Sequence, residues 1–147
     1  MTDADPLALE EQVCFALAVA SRAVVAAYRP VLEPLNLTHP QYLVMLAMWQ
    51  HECLGVKDLS RLLYLDPGTL SPLVKRLERA GLLVRDRAPN DERALAITLT
   101  PEGRALRERA LAVPGTMLER LGMSRDDLGE ANRFLHELIE SATAVPA

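Results

Sequence analysis

From Val13 to Ala20 the chain reads VCFALAVA, apolar at every position. A helix with no polar face has to be covered on every side. We expect the first long helix to run from about Asp5 to about Leu32. So apolar a surface in so short a chain predicts contact with a second copy. The segment LNLTHPQY interrupts it. Thr38 then suits the N-cap of a helix over Pro40–Gln50, with Gln41 at the capping-box position. Its expected core stripe is Tyr42, Met45, Leu46 and Trp49. A short helix over Val56–Leu63 should bury Val56, Leu59, Leu62 and Leu63. Asp66 and Pro67 open the next helix as N-cap and first residue, and Ala80-Gly81 closes it. Alternation over Leu83–Arg87 and Leu95–Leu99 predicts a hairpin with a charged loop. Thr100-Pro101 starts another helix, with an interruption or kink expected at Pro114-Gly115. Ser124 caps a last helix that turns Leu128, Ala131, Leu135 and Leu138 inward.

The helix after Asp66 carries Leu70, Leu73, Val74 and Leu77 on one face, at helical spacing. The opposite face is Gly68, Pro72, Lys75 and Arg79, flanked by Thr69, Ser71 and Arg76. Small residues permit close approach to a major groove, hydroxyls reach phosphates or bases, and Lys and Arg neutralise the backbone. The hairpin adds Asn90, Asp91, Glu92 and Arg93. The expected fold is therefore mainly α, a winged helix-turn-helix with a two-stranded wing and terminal dimerisation helices.

At 147 residues the chain is expected to form a single domain. Residues from about 40 to 100 would be the DNA-binding part, and about 5–35 and 101–145 the dimerisation helices. The net charge of −4 argues against a nucleic-acid binder until its distribution is considered. Residues 57–93 hold eight Lys or Arg against six Asp or Glu, a local excess of +2. Two cysteines, Cys14 and Cys53, are too few for a disulfide framework. No apolar run is expected to reach spanning length, and the start MTDADP lacks a secretory pattern, so a cytoplasmic protein is expected, with no membrane partner. His39, His51, Cys53 and His136 lack the paired spacing of a metal site, and neither a metal nor a cofactor is expected.

Residues from about 7 to 142 resemble the MarR family of dimeric winged-helix repressors. The general marks are DER at Asp91–Arg93 and LTPEG from Leu99. A sharper resemblance is to its organic-hydroperoxide-sensing, OhrR-type branch. It rests on QVCF at Gln12–Phe15, YRPVL at Tyr28–Leu32, LNLTHPQY at Leu35–Tyr42, YLDPGTLSP at Tyr64–Pro72 and VPGT at Val113–Thr116. The resemblance implies that Cys14 is a peroxide-sensing thiol, oxidised to sulfenic acid, and that the dimer then releases a pseudo-palindromic operator. It also implies a supporting tyrosine at Tyr28, contributed across the dimer. Tyrosines that the branch leads one to expect are replaced here by Ala18 and His39. Either His39 takes over as a donor, or it is a polar first-turn residue. The absence of Cys from Arg120–Ala147 resembles the one-cysteine type, in which low-molecular-weight thiols trap the sulfenic acid. Cys53 is then structural.

From the residues alone, a Cys in an apolar helix is a small core side chain. With a helix beginning near Asp5, Cys14 would also lie too far in for the helix dipole to act. Cys14, Leu17, Ser21, Val24 and Tyr28 share a stripe. Cys14 and Tyr28 are about 21 Å apart along it, so they could meet only between antiparallel copies crossing near Ser21. The competing functions are a repressor of the same fold gated by a small aromatic ligand and, from another class, a thiol peroxidase.

Overall fold

The computed structural model describes residues 5–88 and 91–144, and side-chain surroundings outside 87–94. Two compact units emerge, Met1–Leu111 and Ala112–Ala147.

In the first unit a 3-10 turn, Leu9–Glu11, precedes α1, Val13–Leu32. The helix therefore starts eight residues later than its apolar pattern suggested. Gln12 explains the delay. Its backbone is extended, and its side-chain amide donates to the carbonyls of Pro6 and Ala8, at 2.8 and 3.0 Å. These bonds hold a folded lead-in where the helix was expected to continue. Of the twenty residues of α1 only Leu32 is buried. The stretch Val13–Leu35 has a mean hydropathy of 1.4, long and apolar enough to cross a membrane by length and composition. This corrects the expectation that nothing reaches spanning length. Arg22 and Arg29 break any uninterrupted apolar run, yet they do not bring the average down far enough.

A 3-10 turn over Glu33–Leu35 leads, through Asn36 in the left-handed region, to α2, His39–His51. Thr38 and Gln41 form the expected capping box: Gln41 N–H donates to Thr38 Oγ1 at 3.3 Å, and Thr38 N–H donates to Gln41 Oε1 at 3.0 Å. The buried residues of α2 are Tyr42, Val44, Met45 and Met48. Leu46 is exposed and Trp49 half-buried, which corrects the expected stripe. A helix apolar on most sides offers no unique stripe to read, so its neighbours decide. Trp49 instead spends its indole N–H on the carbonyl of Gly103, 2.9 Å away.

Strand β1, Cys53–Gly55, follows and was not foreseen. Next come α3, Val56–Leu63, and α4, Pro67–Arg79. In α3 only Leu59 is buried; Leu62 is exposed, while Val56 and Leu63 are half-buried. Strands β2, Leu83–Ala88, and β3, Asp91–Leu99, form the hairpin. The sheet has three antiparallel strands in the order β1-β3-β2, so the two-stranded wing gains a third strand at its base. Cys53 pairs with Thr98 and Leu83 with Leu99. The core joins Leu32, Met45, Met48, Leu59, Leu70, Leu77 and Ile97, all fully buried. Each such side chain contributes about 1.5–3 kcal/mol of hydrophobic stabilisation.

Helix α5, Pro101–Ala110, closes this unit. Thr100 caps it, and a Cβ on Gly103 would stand 2.1 Å from the Leu82 carbonyl oxygen. Only glycine lets α5 lie this close to the hairpin's base.

The second unit holds α6, Val113–Leu121, and α7, Arg125–Ala144. The break falls at Leu111-Ala112, not at Pro114-Gly115. Pro114 sits in the first turn of α6, where a missing N–H costs no hydrogen bond. Ser124 and Asp127 form a reciprocal cap at the start of α7, with bonds of 3.0 and 3.1 Å. Helix α7 buries none of its residues: Leu128 and Leu135 are exposed, Ala131 and Leu138 half-buried. The four were expected to face inward.

Candidate functional site

Helix α4 is anchored through the apolar face expected of it. Leu70, Leu73, Val74 and Leu77 are all buried. The outward face is then Gly68, Thr69, Pro72, Lys75 and Arg76, all exposed, with Ser71 half-buried. Asp66 caps the helix, receiving the Thr69 N–H at 2.8 Å and the Thr69 hydroxyl at 2.9 Å. Those two donors hold the Asp66 carboxyl below its ordinary range. The Thr69 hydroxyl is thus engaged as a donor, and its remaining lone pairs are what it can offer outward.

Glu78 of α4 accepts a bond from Arg85 Nε at 2.6 Å, a partly shielded ion pair that ties α4 to β2. This pair was not singled out in the sequence, where the two are merely opposite charges seven residues apart. Thr100 Oγ1 adds a bond to the Gly81 carbonyl at 2.5 Å. The hairpin and α4 are thereby held by the same short stretch of chain. Arg93 falls within β3, but its side chain lies outside the described residues.

Cys14 is the second residue of α1, and it is exposed. Both points correct the sequence reading, which placed it beyond the first turn and allowed it to be a core side chain. First-turn N–H groups have no intrahelical partner, and they attract negative charge. Helix α1 has no side-chain cap to occupy them. Cys53 is exposed as well and sits in β1.

Tyr28, at the far end of the Cys14 stripe, is half-buried beside His39 and Tyr42. Its ring centroid is 5.1 Å from that of His39 and 5.8 Å from that of Tyr42. Capping by Thr38 puts His39 at the first position of α2, which delivers its ring to Tyr28. Burial pushes the Tyr28 phenol up and the His39 imidazole down, favouring the neutral form of each. Tyr42 is raised too, by burial and then by the adjacent Tyr28. A recess of about 410 Å³ opens beside this cluster, walled by Val25, Leu37 and Pro40 and edged by Arg29, Glu33 and His39. Among the described residues no cluster of three or more His, Cys, Asp or Glu could hold a metal ion.

The MarR family model matches residues 37–95. The chain is 44% identical to the organic hydroperoxide resistance transcriptional regulator of Bacillus subtilis (strain 168), across 93% of each protein. Its fold is similar to that of reduced AbfR bound to DNA, AbfR being a protein of Staphylococcus epidermidis. That match has a TM-score of 0.78 and 29% identity, covering 92% of this chain and 93% of the other. BpsR of Bordetella bronchiseptica, whose DNA binding is regulated by 6-hydroxynicotinic acid, matches with a TM-score of 0.80 and 25% identity, over 91% of this chain and 97% of BpsR.

Proposed function

From the membership of this chain in the MarR family, we propose that it is a cytoplasmic homodimeric repressor that senses organic hydroperoxides through Cys14. Its character as a DNA-binding transcriptional regulator, and not an enzyme, follows from the relatives. The observation that carries the finer reading is the placement of Cys14: exposed, in the first turn of an uncovered apolar helix, on a stripe that ends at Tyr28. Two such helices crossing antiparallel would bring the Tyr28–His39 pair of one copy to the Cys14 of the other.

The chemistry is a two-electron oxidation. The Cys14 thiolate attacks one oxygen of the hydroperoxide, the O–O bond breaks, and the alkoxide leaves with a proton as the alcohol. The sulfur becomes a sulfenic acid. A low-molecular-weight thiol then condenses with it, giving a mixed disulfide and water. A neutral phenol at Tyr28 can donate a hydrogen bond to the sulfur. Added volume in a close-packed dimer contact costs about 1–3 kcal/mol. That is enough to move two recognition helices out of register with successive major grooves, about one helical turn apart. In this arrangement Gly68, Thr69, Ser71, Pro72, Lys75 and Arg76 face the operator and Arg93 reaches an adjacent minor groove. Residues from about 40 to 100 read DNA, and about 5–35 and 101–145 join the copies.

The test is mass spectrometry of Cys14 after one equivalent of organic hydroperoxide, run beside DNA binding. Sulfenic acid or mixed disulfide at Cys14, in step with release, is the expected result. Release with Cys14 unmodified would end the thiol reading.

The recess beside Arg29 and His39 supports a second reading, a repressor gated by a small aromatic acid. DNA release by such an acid after alkylation of both cysteines would favour it.

A further inference from the structure

The turn Tyr64-Leu65-Asp66 joins α3 to α4. Tyr64 there adopts the left-handed conformation, φ 54 and ψ 38. Bulky side chains avoid this region, which glycine or asparagine fills without strain. Local bonds fix the turn: Tyr64 N–H donates to the Arg61 carbonyl at 3.3 Å, Leu65 N–H to the Ser60 carbonyl at 3.1 Å, and the Ser60 hydroxyl to the Leu65 carbonyl. The Tyr64 side chain gains little from packing in exchange, since it is 68% exposed. Together with Asp58, Arg61 and Leu62 it lines a shallow depression. Arg61 and Asp58 are paired at 3.8 Å, with side chains 80% and 64% exposed. A pair that long and exposed holds weakly, so the guanidinium is free to turn toward another anion.

We propose that Tyr64 is a DNA-backbone contact, its phenol O–H donating to a phosphate oxygen at the edge of the groove that α4 enters, with Arg61 beside it. The proposal rests on the DNA-reading role of α4. Tyr64 stands two residues before the cap of α4, on the turn that leads into that helix. The side chain is a neutral donor on an apolar stem, placed on the connecting turn rather than on the α4 face. That suits positioning on the backbone and not base reading.

The experiment uses the full-length protein and two duplexes of one length. One is selected by the wild type from a randomised library; the other is unrelated in sequence. Tyr64→Phe removes only the hydroxyl. Tyr64→Gly removes the ring and suits the left-handed backbone, so its thermal midpoint should stay within a few degrees of wild type. Lys75→Ala, on the α4 face, serves as the control for DNA reading. Tyr64→Phe is expected to weaken both duplexes alike by about tenfold, the size of a hydrogen bond to a charged group. The slope of affinity against salt should not change, because a neutral donor displaces no counterion. Lys75→Ala should lower that slope by about one. If Lys75→Ala weakens binding while both Tyr64 variants bind as wild type does, Tyr64 is no contact and the DNA-reading role stands. A loss confined to the selected duplex would overturn the phosphate assignment. If none of the three variants weakens binding, the reading of α4 fails, and the proposal with it.

Discussion

Helices α4 and α1 carry comparable apolar faces, and the structure treats them oppositely. Helix α4 buries all four residues of its stripe within its own unit. Helix α1, seven residues longer, buries one. The first face finds its cover in α2, α3 and the sheet. The second ends in exposed Val13, Phe15 and Val19. A face completed inside the chain is a fold element, whereas one left open on this scale marks a surface made for something else. The unit around α4 is thus self-sufficient and α1 is not. Under the proposed function, a signal that acts on α1 acts through assembly.

The largest effect should come from breaking α1. Leu17→Glu is expected to abolish both dimer and DNA binding while the first unit keeps its secondary structure. Sedimentation and circular dichroism check this pair of outcomes. A stable wild-type monomer at micromolar concentration would remove the cross-copy role of Tyr28. Next in size is the chemistry. Cys14→Ser should bind operator DNA and stay bound after organic hydroperoxide, while Cys53→Ser should still release. Electrophoretic mobility with and without peroxide reads both, and release from the Cys14→Ser protein would reopen the ligand-gated reading.

The comparison also explains what could be read in advance. The α4 face, the Thr38–Gln41 box, the Asp66, Thr100 and Ser124 caps and the α3 boundaries are local matters of spacing and side-chain chemistry, and the residues announce them. The start of α1 was missed because Gln12 makes bonds to Pro6 and Ala8 that no periodicity encodes. That one error moved Cys14 from mid-helix to first turn. Strand β1 was missed because three residues carry no alternation, and only pairing with β3 creates it. The Glu78–Arg85 pair and the Tyr28–His39–Tyr42 cluster join separate elements, so they needed the fold before they could be seen.

Within the first unit the expected effects are intermediate. Gly103→Ala forces a methyl against the Leu82 carbonyl, and a backbone atom cannot step aside as a side chain can. A loss of about 3 kcal/mol is expected, at the upper end for overpacking. Urea denaturation measures it, and a change under about 0.5 kcal/mol would show that α5 can shift freely. Arg76→Ala should leave stability alone and lower the salt slope of DNA binding by about one, as one lost phosphate contact does. An unchanged slope would take Arg76 off the interface.

The smallest effect sharpens the comparison at the seam where α1 meets α2. Burial holds the His39 imidazole below its ordinary value, so the folded protein prefers it neutral. As pH falls through that ordinary value, near about 6.5, the unfolded chain takes up the proton first. Stability should therefore be full above this point, decline below it, and level off once the folded-state group also protonates. Tyr28 and Tyr42, the rings around it, stay neutral throughout, because a phenol titrates far above this range and burial raises both further. Arg29 and Glu33, which edge the same recess, are exposed. His39→Phe keeps a ring against Tyr28 while removing the proton. Its urea midpoint should lose the wild-type decline below about pH 6.5, whereas His51→Phe, at an exposed position, should keep it. If the wild type shows no decline, or if His39→Phe retains it, the imidazole is not held neutral by its burial. It is then an ordinary first-turn residue of α2, with no part in shaping the thiol's surroundings.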